Sequence, residues 1–127
     1  MKDNEKPFEG KRFLVVDDSS LHVMMISSFL ENLGAAVVKS ASSGEEAMDA
    51  LASDAFDAAL VDLHMINMNG IEFARRVRKN PEWVKMRLVL VTADGEAAEK
   101  EAAMDLFDAS ISKALITKDL VQAILGR

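Results

Sequence analysis

KRFLVVDDSSLHVMMISSFLENLG, residues 11–34, holds one complete strand-to-helix unit. An unbroken apolar run at 13–16 ends in two aspartates, Asp17 and Asp18. Ser19 and Ser20 follow as residues able to cap a helix, and the helical stretch runs to about Leu33 before Gly34 stops it. The same rhythm continues along the chain. Apolar or β-branched runs recur at 36–39, 58–61, 88–91 and 109–112. Between them, Ser42 and Ser43 precede GEEAMDALA (44–52), whose Ala47, Met48 and Leu51 share one face. A turn at 67–70 leads into IEFARRVRKN (71–80), which Pro81 ends. Asp94 and Gly95 open EAAEKEAAMDLF (96–107), and Thr117 opens a last helix ending near Leu125. Five strands alternating with helical stretches specify βαβ units and a mainly parallel sheet, an α/β fold of (βα)5 type. AALVD (58–62) and LVLVT (88–92) are apolar along their length, as central strands covered on both faces must be.

The composition narrows the function classes. The 127 residues suit one domain, with 1–10 reading as a polar tail or linker and 11–127 as the folded unit. Cysteine is absent, which excludes disulfides, thiolate metal sites and cysteine nucleophiles. Fifteen Lys and Arg against twenty-one Asp and Glu leave a charge of −6, which argues against direct nucleic-acid binding. No apolar run approaches the roughly 18 residues of a membrane span, and the charged start is unlike a signal peptide. The expectation is a soluble, acidic, cytoplasmic domain.

In open parallel sheets, ligands bind beyond the carboxyl ends of the strands. Asp17 and Asp18 end the first strand, Asp62 the third, Thr92 the fourth and Lys113 the fifth. Carboxylates within a few ångström of one another repel, so one keeps its proton unless a cation intervenes. A hard divalent cation such as Mg²⁺, held by carboxylates, waters and phosphate oxygens, resolves that conflict. Lys113 adds a point charge suited to phosphate, and Thr92 a hydroxyl donor. A metal, a carboxylate nucleophile, a lysine and a hydroxyl are the parts required for phosphoryl transfer to aspartate.

The stretches LVVDDSS (14–20), SASSGEEAM (40–48), ALVDLHMINMNGIEFARRVR (59–78), LVLVTAD (88–94) and SISKA (110–114) resemble the receiver domain of two-component response regulators, of the chemotaxis-regulator type. The resemblance covers about residues 11–126. It implies a flavodoxin-like five-stranded parallel sheet in the order 2-1-3-4-5, with helices on both faces. It further implies that Asp62 is the phosphoacceptor and that Asp17 and Asp18 are the metal carboxylates for Mg²⁺ or Mn²⁺. Asp18 is favoured as the direct ligand, with Asp17 acting through water and the backbone carbonyl of His64 as third contact. Thr92 matches the switch hydroxyl, the Ala93 N–H binds another phosphoryl oxygen, and Lys113 pairs first with the acceptor and then with the phosphoryl group. His64 and Asp94 flank the path of the hydrolytic water and are expected to set the phosphoryl lifetime. The implied partners are a histidine kinase or histidine phosphotransfer protein as donor, and a downstream protein whose interactions the phosphoryl group switches.

Three positions depart from the family pattern. Ala114 stands where receivers carry Pro after the lysine. A cis bond before Ala costs about 2.5–4 kcal/mol against about 0.5–1 before Pro, so this bond is trans or held under strain. Ser110 replaces the usual aromatic residue three positions before the lysine, which removes the aromatic readout. Ile66 replaces a Pro in the loop after the acceptor.

Other features have plainer readings. His64 is not expected to ligate through its imidazole, since hard Mg²⁺ prefers oxygen. His22 reads as a solvated helix residue, and Arg75, Arg76, Arg78 and Lys79 as a solvated helix face. The first helix carries more apolar residues than one buried face requires, namely Leu21, Val23, Met24, Met25, Ile26, Phe29, Leu30 and Leu33. Deeper burial or a partner must account for the surplus. On the resemblance, Leu21, Val23 and Met24 belong to the surface that docks the histidine-bearing donor. The leading function is thus a self-phosphorylating and self-dephosphorylating aspartate switch in a phosphorelay. A haloacid-dehalogenase-like phosphatase would need an acid at position 64 and a capping insert, both absent. A phosphorylation-independent pseudo-receiver interaction module, suggested by Ser110 and Ala114, is the alternative.

Overall fold

Apolar runs bounded by cap residues become strands and helices within one or two residues of their expected limits. The computed structural model describes residues 6–63, 68–92, 104–112 and 124. In chain order the elements are β1 (Arg12–Val16), α1 (Ser20–Asn32), β2 (Val37–Ala41), α2 (Gly44–Ser53), β3 (Ala58–Asp62), α3 (Gly70–Lys79), β4 (Arg87–Thr92) and β5 (Ala109–Ser112). The strands form one parallel sheet in the order β2-β1-β3-β4-β5, the flavodoxin-like order expected. β2 outruns its apolar stretch to pair with β1 as far as Ala41 opposite Val16, and its exposed Lys39 and Ser40 suit a sheet edge. Of the helix expected at 96–107, only 104–107 are described, and they form a turn instead of helix. Of the last expected helix only Ile124 is described, helical and buried. Among the described residues, no helix is long and apolar enough to cross a membrane.

Strand alternation divides the interior in two. Leu14, Val16, Ala59, Val61, Leu88 and Leu90 face α2 and α3, joined by Ala47, Leu51, Phe73 and Val77. Phe13, Val15, Leu60, Val89, Val91 and Ile111 face the other side, where Ile26 and Leu30 of α1 and Ile124 cover them. β1, β3 and β4 are therefore buried on both faces, which is why they read as continuous apolar runs.

Each described helix begins on a side-chain cap. Ser19 Oγ accepts from His22 N–H at 3.4 Å, Ser43 Oγ from Glu46 N–H at 3.1 Å, and Asn69 Oδ1 from Glu72 N–H at 2.9 Å. α1 ends in a Schellman motif. The Gly34 N–H donates to Glu31 O and the Ala35 N–H to Leu30 O, with Gly34 in the left-handed region at φ 103°.

Residues 6–10, placed by sequence in a polar tail, pack against that helix end. Phe8 is fully buried and meets Phe13 edge to face, with ring centroids 5.1 Å apart. Its N–H donates to Leu33 O at 3.0 Å, and Lys6 Nζ donates to Asn32 O at 3.1 Å. Lys6 thus supplies a cation at a helix C-terminus that has none in its own last turn. A single Phe among charged residues gave too little periodicity to reveal this.

Arg75, Arg76 and Lys79 are exposed, as expected of a solvated face, but Arg78 is not part of it. Its guanidinium donates to Leu106 O, Val84 O and Met86 O and to Asp108 Oδ2, at 2.8–2.9 Å. Asp108 Oδ2 also accepts from Leu88 N–H at 2.8 Å, so one ion pair ties α3 to the starts of β4 and β5. Arg78→Ala leaves these acceptors unpaired and should lower stability by about 2–3 kcal/mol, whereas Arg75→Ala should change it by less than about 0.5 kcal/mol. Urea denaturation of the two variants measures the contrast.

Candidate functional site

β1 and β3 are neighbours in register, with Val16 opposite Val61, so Asp17 and Asp62 emerge side by side at the carboxyl edge. On the other side of β3, Asp62 pairs with Val91, and Thr92 pairs with Ser112. Asp17, Asp62 and Thr92 are buried, at 3%, 6% and 7% exposure, while Asp18 faces solvent. Carboxylate oxygens of Asp17, Asp18 and Asp62 all lie within 4.8 Å of one another. Two buried carboxylates and one exposed one, with only oxygen donors, fit a hard divalent cation approached from the Asp18 side. Their repulsion is the physical reason such a cation would be held.

Local structure fixes each of these side chains. The Asp17 N–H donates to Ala41 O at 3.0 Å, and its Oδ1 accepts from Ser19 N–H at 2.9 Å, which aims the carboxylate across the edge. Gly70 sets the distance between α3 and the end of β3. A Cβ at this position would stand 2.5 Å from the carbonyl oxygen of Asp62, and the Gly70 N–H donates to Leu63 O at 2.9 Å. Gly44 plays the same part for Met68, whose side chain would lie 2.6 Å from an added Cβ. The Thr92 hydroxyl donates to Ile111 O at 3.4 Å.

Among the expected site residues, Asp17, Asp18, Asp62 and Thr92 thus share one edge. Lys113, Ala93, His64 and Asp94 lie outside the described residues, as do Ile66 and the Lys113–Ala114 bond. Ser110 is half-buried in β5, opposite Leu90. Of the expected docking residues, Leu21 and Met24 are 62% and 68% exposed. Val23 is half-buried and lines a cavity of about 160 Å³ with Asp17, Asp18 and Glu46. His22 differs from its solvated reading. Its side chain is 31% exposed, and Nδ1 lies 3.7 Å from Asp17 Oδ2. The sequence signal for this contact was its position, three residues after the cap Ser19, from which a side chain turns back toward the preceding loop.

The sequence model of the response regulator receiver domain matches residues 13–125. The chain belongs to the response regulator receiver domain family. Among curated relatives of this receiver, the probable chemotaxis protein CheY of Rhizobium etli is 32% identical over 98 residues, spanning 77% of this chain and 76% of that protein. The virulence sensor protein BvgS of Bordetella bronchiseptica is 37% identical over 100 residues, spanning 76% of this chain but 8% of BvgS. Among solved structures, a putative response regulator from Chloroflexus aurantiacus superposes with a TM-score of 0.85 at 27% identity, covering 94% of this chain and all of that one. The receiver domain of the histidine kinase CKI1 from Arabidopsis thaliana, complexed with Mg²⁺ and BeF₃⁻, superposes with a TM-score of 0.77 at 26% identity, covering 94% and 90%.

Removing one carboxylate from the receiver's acidic cluster relieves repulsion but takes away one of three donors that could hold a cation. Asp18→Asn should therefore raise the metal-free melting temperature by about 2–4 °C and abolish any further rise on adding Mg²⁺. Thermal unfolding with and without Mg²⁺ reads both effects.

Proposed function

We propose that this receiver is the phosphoacceptor of a phosphorelay, with Asp62 as the residue phosphorylated. The observation that carries the reading is the buried Asp62 carboxylate, at the end of a central strand and within 4.8 Å of two further carboxylates, beside the buried Thr92 hydroxyl. A bound Mg²⁺ (or Mn²⁺) supplies positive charge to the acidic cluster and the transferring phosphoryl oxygens. The complex of the CKI1 receiver with Mg²⁺ and BeF₃⁻ supports the same assignment here. An Asp62 oxygen attacks phosphorus in line while the bond to the donor breaks. That bond is P–N in a phosphohistidine kinase or phosphotransfer protein and P–O in a small acyl phosphate, and its electron pair stays with the donor. Lys113 stabilises the charge on the phosphoryl group. The Thr92 hydroxyl leaves Ile111 O for a phosphoryl oxygen, the Ala93 N–H takes another, and this movement biases the surface beyond β4 and β5. Water attacking the same phosphorus releases phosphate and restores Asp62, at a rate tuned by His64 and Asp94. The setting of this chemistry is the cytoplasm, and the output is a change in protein–protein interaction rather than a metabolic product.

Acetyl phosphate with Mg²⁺ should add one phosphoryl group to the intact protein, and Asp62→Ala should add none. Intact-mass measurement decides it. A folded protein that binds Mg²⁺ yet takes up neither acetyl phosphate nor beryllofluoride would instead be a pseudo-receiver, and Ala114 beside Lys113 would be the first place to look.

The donor is proposed to dock on the N-terminal half of α1, where Leu21 and Met24 are exposed and Val23 borders the cavity beside Asp17 and Asp18. The double substitution Val23→Glu with Met24→Glu should slow transfer from a phosphorylated histidine phosphotransfer protein by at least about tenfold while leaving acetyl phosphate uptake unchanged. Equal loss with both donors would place the effect in the chemistry instead of in docking.

A further inference from the structure

We propose that His22 is the positioning residue for Asp17, holding its carboxylate for the cation through a hydrogen bond from Nδ1–H to Oδ2. The inference rests on reading Asp17, Asp18 and Asp62 as a divalent-cation site, and it adds to that site a residue outside its donor set.

The helix start creates the contact. His22 is the third residue of α1 after the cap Ser19, and its own N–H is held by Ser19 Oγ at 3.4 Å. At this position a Glu or Gln ordinarily reaches back to accept from the cap residue's N–H. Here that N–H is already donated to Asp17 Oδ1 at 2.9 Å. The side chain three residues on is thereby freed to reach past the cap to the carboxylate itself, and an imidazole, unlike a Glu, has a proton to give it.

The atoms agree with this. His22 Nδ1 is shut off from solvent and makes no hydrogen bond, although 31% of the side chain remains exposed. A buried ring nitrogen without a partner calls for an explanation. Its separation from Asp17 Oδ2 is 3.7 Å, beyond the roughly 2.7–3.2 Å of a hydrogen bond but within a small rotation of either group. An ionised carboxylate only accepts, so the ring must carry its proton on Nδ1 and leave the Nε2 lone pair facing away from Asp17. Asp17 is then held at both oxygens, by the Ser19 N–H and by His22. Partners of this kind fix the orientation of a ligating carboxylate, and losing one commonly weakens metal affinity ten- to a hundredfold. The imidazole is not itself a ligand: the clustered donors are the three carboxylates, and Mg²⁺ takes oxygen in preference to nitrogen.

The test is calorimetric titration of Mg²⁺ alone into the full chain. His22→Leu should weaken binding about tenfold. His22→Asn, whose amide nitrogen falls where Nδ1 sits, should bind as the unsubstituted protein does. His22→Gln, whose amide reaches the Nε2 position instead, should behave like His22→Leu. In the Mg²⁺-loaded protein, ¹⁵N imidazole shifts should place the His22 proton on Nδ1. A general loss of helix stability would lower all three variants together and would not single out Asn for rescue. Unchanged affinity in His22→Leu, with binding still lost in Asp18→Asn, would overturn the role of His22 and leave the cation site standing. Rescue by Gln equal to that by Asn would overturn the Nδ1 contact. Absence of Mg²⁺ binding by the unsubstituted protein would overturn both readings.

Discussion

Asp17 and Asp62 are acidic groups fixed at the ends of adjacent, hydrogen-bonded strands, and they cannot move apart without dismantling the sheet. At a separation near 5 Å and an effective dielectric of about 20, two ionised carboxylates repel by about 3 kcal/mol. Against this stand the fully buried Phe13, Leu14, Val15, Val16, Leu60 and Val61 on the same two strands, each worth about 1.5–3 kcal/mol when removed from water. Burial exceeds the repulsion several times over. The sheet therefore holds the carboxylates in an arrangement that they would not adopt alone, ready for whatever neutralises them. Both the cation fit and the proposed nucleophile follow from that imposed proximity.

The five alternating strands and the placement of Asp17, Asp18, Asp62 and Thr92 were legible because they follow from periodicity, whereas the sheet order came from the family resemblance. A strand buried on both faces announces itself as an apolar run, and the first polar residue after it marks the carboxyl edge. The caps Ser19 and Ser43 were legible for a similar reason, since they act within three residues of themselves, while Asn69 was read only as part of a turn. The family resemblance then supplied roles for residues that spacing alone leaves as charges at an edge.

What escaped the sequence depends on contacts between distant segments or on single atoms. Phe8 is one apolar residue in a polar stretch, and its burial depends on the end of α1 and on Phe13. Arg78 looks like its neighbours Arg75, Arg76 and Lys79 until the carbonyls of residues 84, 86 and 106 are brought around it. Gly70 appeared as the close of a turn, whereas it opens α3 and its missing Cβ makes room for the Asp62 carbonyl. His22 was assigned to solvent although it stands three residues after the cap Ser19. That spacing does not say which group lies within reach until the chain between Asp17 and Ser19 is seen to bring the carboxylate there.

The sheet is also a partition. The exposed apolar face of α1 rests on the layer built from Phe8, Phe13, Ile26 and Leu30, while Leu63, Met68 and Gly70 rest on the opposite layer with Phe73 and Ala47. Side chains of the two layers are separated by a full thickness of backbone, so repacking one leaves the other's shape intact. Sequence drift beneath the C-terminal part of α1, away from His22 and Val23, can thus remodel the outward surface of that helix without disturbing the support of the acidic edge. A lineage built on this framework is free to diversify its contacts with other proteins while the geometry of its carboxylates stays unchanged.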